Sequence, residues 1–231
     1  MKMYLRFILI LLVCGSFLPA VLAQETLWKE FTLEAARLVQ QGKYPDAVDM
    51  AKRALEMAEE TFGRDHPNVA ISLNNLATLY RIQGKYGEAE DLYKQGLAIK
   101  EQNFGLDHPE VAISLNNLAG LYRAQGKYAE AEPLYERALG IREKSLAPKH
   151  PDLAQSLNNL GLLYKIQGRY AEAESLYKRA QAIWEKAFGP DDLNVATVLG
   201  NMAELYKEMG KTGEAERLGA RARKIRSHVK R

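Results

Sequence analysis

The chain carries a single cysteine, Cys14, in 231 residues. One sulfur excludes a disulfide framework, a multi-thiolate metal cage and a Cys-x-x-Cys redox centre. Catalytic signatures are missing as well: there is no G-x-S-x-G elbow, no H-E-x-x-H pair and no phosphate-cradling glycine loop. These absences leave an exported hydrolase without a nucleophile or a metal to stand on, and the expectation is a protein that is not an enzyme and carries no cofactor. Charge of one sign is also lacking. A net charge of +3 gives no bulk reason to seek nucleic acid, and no nucleic-acid motif accompanies it.

Long apolar runs are scarce. The one candidate, from Phe7 to Ala23, holds 17 uncharged residues and is broken by Pro19. A bilayer needs about 20, so an uncleaved anchor is the weaker alternative. Lys2 and Arg6 precede the run and Val21-Leu22-Ala23 closes it, the pattern of a secretory signal peptide cut after Ala23. A lipoprotein site at Cys14 is disfavoured because Val13 precedes it. Cleavage removes Cys14 and lowers the net charge to +1, so the mature form, 24–231, is expected in a periplasm or outside the cell with no disulfide.

What the sequence does have is a repeat. Glycine recurs every 42 residues at Gly42, Gly84, Gly126, Gly168 and Gly210, and the first four stand in GKY or GRY. Aligning residues 68–109 with 110–151 gives 26 identities in 42 positions, including VAISLNNLA, LYR, QGKY and EAE. A fixed period in this range is the mark of stacked supersecondary units. Within one unit Val69, Leu73, Leu76 and Tyr80 follow i, i+4, i+7, i+11 spacing and predict a helix from about Asn68 to Gln83. Gly84 stands where a helix C-terminus needs a left-handed residue, and Ala89, Leu92, Gly96 and Ile99 predict a second helix over Gly87–Asn103. Pro67 suits the first turn of the next helix, and Glu88 and Glu90 suit the positive end of the second. Each unit therefore reads as a helical hairpin, five in all: 27–62, 68–104, 110–146, 152–188 and 194–228.

Leu76, Ala77 and Tyr80 in the first helix, with Ala89, Tyr93 and Gly96 in the second, carry a family pattern. It recurs at Leu118, Ala119, Tyr122, Ala131, Tyr135 and Ala138, and at Leu160, Gly161, Tyr164, Ala173, Tyr177 and Ala180. On these residues the chain resembles the tetratricopeptide repeat proteins of the 42-residue, kinesin light chain-like subtype. That resemblance implies an all-α, right-handed superhelical solenoid of helix-turn-helix repeats whose business is to bind a protein or peptide partner.

The resemblance also implies which residues do so. The second asparagine of each NNL, at Asn75, Asn117 and Asn159, with Asn201 in GNMA, falls where that family lines its concave groove with a ladder of amides gripping an extended peptide. A carboxamide offers two donors and an acceptor, enough to pair with a peptide unit whatever its side chain. Arg81, Arg123, Lys165 and Lys207 form a basic row at the same period, suited to acidic side chains or a terminal carboxylate. A second reading stays open for both rows: asparagines of stacked helices bond to each other and fix the spacing, and cations on a helix flank face water. Leu33 and Leu38 replace Asn75 and Tyr80 in the first unit, which is expected to cap the groove, not line it.

His66, His108 and His150 also recur with the period, but steps of about 10 Å between hairpins are too long for shared metal ligands near 2 Å, so they read as loop residues. The last 15 residues carry seven positive charges and no acid. They offer contact with anionic lipid, or else one charged face of a terminal helix whose Leu218, Ala222, Ile225 and Val229 pack inward. The combined expectation is a monomeric, non-catalytic scaffold, with self-association through the ends as the alternative.

Overall fold

A computed structural model describes residues 22–229 of the chain; of the expected signal segment, 1–23, all but Leu22 and Ala23 lies outside the described residues, Cys14 included. Ten helices and no strand occupy the described residues. Helix α1 covers 22–40, followed by α2 (Tyr44–Phe62), α3 (Pro67–Ile82), α4 (Tyr86–Phe104) and α5 (Pro109–Ala124). Then come α6 (Tyr128–Ser145), α7 (Pro151–Ile166), α8 (Tyr170–Phe188), α9 (Leu193–Glu208) and α10 (Thr212–Val229). They form successive helix-turn-helix pairs, the fold class that the 42-residue period implies. No described helix is long and apolar enough to cross a membrane.

The chain divides into two compact units, one ending at Asn103 and one beginning at Phe104. In the first, Trp28, Ala54, Ala58, Val69 and Leu73 make one core cluster, and Ala35, Leu38, Ala47, Val48, Ala51, Leu76 and Leu79 make another. In the second, a single core runs from Ala119 to Ile225 and takes in Tyr135, Tyr177, Trp184 and Met202. Of the predicted stripes, Val69, Leu73, Leu76, Ala89 and Gly96 are buried, and Tyr80, Leu92 and Ile99 are half-buried.

Each hairpin turn is a Schellman motif. In α3, Lys85 N–H donates to Tyr80 O at 2.9 Å and Gly84 N–H to Arg81 O at 3.1 Å, while Gly84 takes a φ of 75°. The same pair of bonds closes α5, α7 and α9, with Gly126, Gly168 and Gly210 at φ 75°, 76° and 74°. Only glycine enters that left-handed region freely, which is why this residue punctuates the period.

The loops between hairpins are more specific than loop residues need be. His66, His108 and His150 are N-caps: their Nδ1 atoms accept from the backbone N–H of Asn68, Glu110 and Asp152 at 3.1, 3.2 and 3.2 Å. Asp192 does the same for α9, accepting from Asn194 N–H at 2.7 Å. Phe62 and Phe104 stack on the first two imidazoles, with centroids 4.9 and 4.8 Å apart, which explains the Phe that opens each FGxDHP loop. No group of three metal-ligating side chains occurs among the described residues.

In α10, Leu218, Ala222 and Ile225 are buried, whereas Arg217, Arg223, Lys224 and Arg226 are exposed. The inward-packing reading of the terminal helix therefore holds for these residues.

Candidate binding surfaces

In the first unit, Asn75 is exposed and stands on one wall of a cleft of about 340 Å³ between α1 and α3. Thr32, Ala35 and Val39 of α1 face Thr78, Leu79 and Ile82 of α3 across it. α1, in the hairpin read from sequence as a cap, supplies one wall of this cleft, where Ala35 and Ala36 leave room that larger side chains would fill. Arg81, in the last turn of α3, is half-buried.

The second unit treats its asparagines differently from one another. Asn201 donates from Nδ2 to Asn158 Oδ1 at 2.8 Å, and Asn159 donates to Asn116 Oδ1 at 3.4 Å while accepting from Gln155 at 2.9 Å. These amides staple one hairpin to its predecessor, so the spacing role is real for both. Asn116 completes the joint by donating to Ala112 O and Ser156 Oγ at 2.9 and 3.0 Å. Asn117 is half-buried on the same row and makes no such bond among the described residues.

The basic row is likewise uneven. Lys165 is buried, and its Nζ lies 2.7 Å from Glu204 and 3.8 Å from Glu208, both on α9. It is neutralised within the unit, whereas Lys207 is exposed. Arg123 is half-buried with its Nε sealed from water and given no hydrogen-bond partner. All four cations sit in the last turn of their helices, where the negative end of the helix dipole favours them. That placement alone accounts for their period.

A second orphan accompanies Arg123. The Tyr177 hydroxyl is buried without a partner, its ring held close against Gly161, where a Cβ would come within 2.9 Å. Burial pushes the Tyr177 pKa well above the usual tyrosine value, the negative charges of Glu204 and Glu208 push it further, and Arg123 opposes them. The phenol is thus a neutral donor, electrostatically coupled to a cation whose Nε also lacks an acceptor. Two such atoms in one region are uncommon in a folded protein. The sequence offered no sign of this pairing, since Tyr177 reads there as packing.

Residues 35–102, 100–144, 110–183 and 152–227 each match the family model described as tetratricopeptide repeat. The chain belongs to the tetratricopeptide repeat family. Among solved structures it is similar to the nearly identical TPR-like repeats of a kinesin light chain from Podosopora anserina, with a TM-score of 0.70 and 27% identity over 87% of this chain and 95% of that one. It is also similar to BtubC (BKLC) from P. vanneervenii, with a TM-score of 0.72 and 26% identity over 87% of this chain and 80% of that one. A Rap protein complexed with Competence and Sporulation Factor shares the fold, with a TM-score of 0.74 at 20% identity over 87% of this chain and 54% of that one. No curated protein matches the sequence. A tetratricopeptide repeat fold supports the function of a protein–protein interaction scaffold, because stacked hairpins present extended surfaces.

Proposed function

We propose that the mature protein is a non-catalytic scaffold that holds an extended, acidic segment of another protein along the face made by the first helices of its hairpins. The observation that carries this reading is the half-buried Arg123, whose Nε has no acceptor, on the same helix as Asn117, whose amide is bound to no neighbouring hairpin. The half-buried Arg123 guanidinium meets a carboxylate of the bound segment, and a charge-assisted bond to Arg is about twice as strong as a neutral one. Asn117, which is not committed to a neighbouring hairpin, pairs with the segment's backbone in the second unit, and the exposed Asn75 offers an amide for a separate contact within the first. Asn159 and Asn201 contribute by setting the spacing of the helices that present the face.

The reading includes export. The charged start, uncharged run and Val21-Leu22-Ala23 site support a cleaved signal peptide of residues 1–23 and a periplasmic or secreted mature chain without cofactor or metal. N-terminal sequencing of the protein made in its natural host tests this, and a start at Gln24 is the expected outcome.

The groove is tested on an array of ten-residue peptides graded from acidic to basic. Acidic peptides are expected to bind best, and Arg123→Gln is expected to weaken them at least tenfold while the helical signal persists. Equal binding of acidic and basic peptides, or no effect of Arg123→Gln, refutes the proposal.

A further inference from the structure

The last hairpin repeats the helix pair of its predecessors but omits the ring that fills the middle three; the first carries the small Ala51 at that register. In α4, α6 and α8 one register position carries Tyr93, Tyr135 and Tyr177, only 1%, 2% and 0% exposed. Sixteen residues earlier in each case stands a small buried residue, Ala77, Ala119 or Gly161. The Tyr177 ring lies directly over Gly161, and the Tyr93 hydroxyl lies 2.8 Å from Thr78 Oγ1, one residue beyond Ala77. Large against small, with a polar neighbour for the hydroxyl, is the pattern of the seat.

In α10 the tyrosine position is Gly219 and its small counterpart is Ala203. A Cβ on Gly219 would lie 3.8 Å from Ala203 Cβ, so the missing side chain points at the same wall, and 3.3 Å from Nη1 of Arg223, a flexible end that can move. A cleft of about 370 Å³ opens there, lined among others by Ala203, Glu204, Lys207, Ala215, Gly219 and Arg223. Glu204 occupies the register of Thr78. It accepts from Lys165 at 2.7 Å, yet its side chain is 66% exposed and keeps lone pairs for another donor.

We propose that this cleft receives a tyrosine side chain from an acidic segment of a partner protein. The ring enters between α9 and α10 where Tyr93, Tyr135 and Tyr177 enter the earlier pairs, and its hydroxyl donates to Glu204. Arg223 moves from the vacated position to the ring face, where a guanidinium is attracted to the π-electrons. Charge decides the company the tyrosine keeps. Lys207 and Arg223 in the lining balance Glu204 and Glu216, and the exposed Arg226, on the same face of α10 as Gly219 and Arg223, adds a further positive charge, so acids beside the tyrosine are complementary to the surface.

The test uses two short peptides, acetyl-Asp-Tyr-Asp-amide and acetyl-Asp-Phe-Asp-amide, titrated into the protein and followed by ligand-observed NMR. A small ligand with one buried ring is expected to bind with a Kd on the order of 1 mM. The tyrosine peptide is expected to bind at least about threefold better, the lower end of what one net hydrogen bond contributes. Gly219→Tyr should fill the seat from within, raising Tm and abolishing the saturable signal; Glu204→Leu should erase the preference for tyrosine. Asn117→Ala should leave both intact, which separates this site from the groove. Equal binding of the two peptides, binding that survives Gly219→Tyr, or a lowered Tm in that variant overturns the proposal. So does a concentration-dependent rise in molecular size that Gly219→Tyr removes, because a second copy then occupies the cleft.

Discussion

Two joints between successive hairpins of the second unit solve one packing problem with opposite chemistries. Where α6 meets α7, the buried guanidinium of Arg142 donates from Nη1 to Asp152 O at 2.6 Å and to Ser156 Oγ at 3.0 Å, and Ser156 also accepts from Asn116. Forty-two residues on, where α8 meets α9, the same positions hold Trp184 and Val198, 3% and 0% exposed and part of the unit's core. Burial lowers the Arg142 pKa, with Asp152 opposing, a sign that the charge is held at some cost. The difference teaches that the backbone and the small-against-large pattern fix how hairpins stack. Whether a joint is polar or apolar is a local choice the fold tolerates.

The largest effect that probes this comparison is expected on the apolar side. Trp184→Ala leaves an unfilled cavity and should lower stability by about 4 kcal/mol in urea denaturation. Arg142→Ala follows at about 3 kcal/mol, since it takes one donor from each of Asp152 O and Ser156 Oγ and also empties buried volume. Arg142→Leu combined with Ser156→Val converts the polar joint to the apolar kind, and its stability should fall within about 1 kcal/mol of the parent, because well-packed hydrophobic replacements of buried charges are often neutral. A loss as large as that of Arg142→Ala would mean that the polar joint is required and the comparison is wrong.

Smaller effects sharpen it. His108→Ala removes the cap of α5 and should cost about 1 kcal/mol, while His108→Asp, copying Asp192, should restore most of it. Thermal melts of the two variants check both. Tyr177→Phe deletes a buried hydroxyl that has no partner and should raise stability by up to about 1 kcal/mol.

The sequence made the hairpins legible because periodicity and glycine conformation act locally. Val69 and Leu73 announce a buried stripe and Gly84 a left-handed turn, and neither depends on a distant neighbour. The histidines were harder to place. A residue before proline at the end of a loop reads as a connector, and only the backbone that follows reveals that its Nδ1 caps a helix. Arg142 was harder still, since a charged side chain is buried only if acceptors arrive from the next hairpin. The asparagine and basic rows were found by register, but register does not tell Asn117 from Asn159, or Arg123 from Lys165. Those distinctions come from which partner the neighbouring hairpin offers, Asn116 in one case and Glu204 in the other.

The central claim is that the second unit grips an acidic segment through Arg123 and Asn117 and uses Asn159 to hold its own hairpins together. Titration calorimetry of the best acidic peptide from the array against three variants tests it most directly. Arg123→Gln and Asn117→Ala should each reduce affinity at least tenfold with an unchanged melting temperature, and Asn201→Ala should lower the melting temperature with affinity changed less than about threefold. Undiminished affinity in Arg123→Gln and Asn117→Ala, with the loss falling on Asn201→Ala alone, would contradict it.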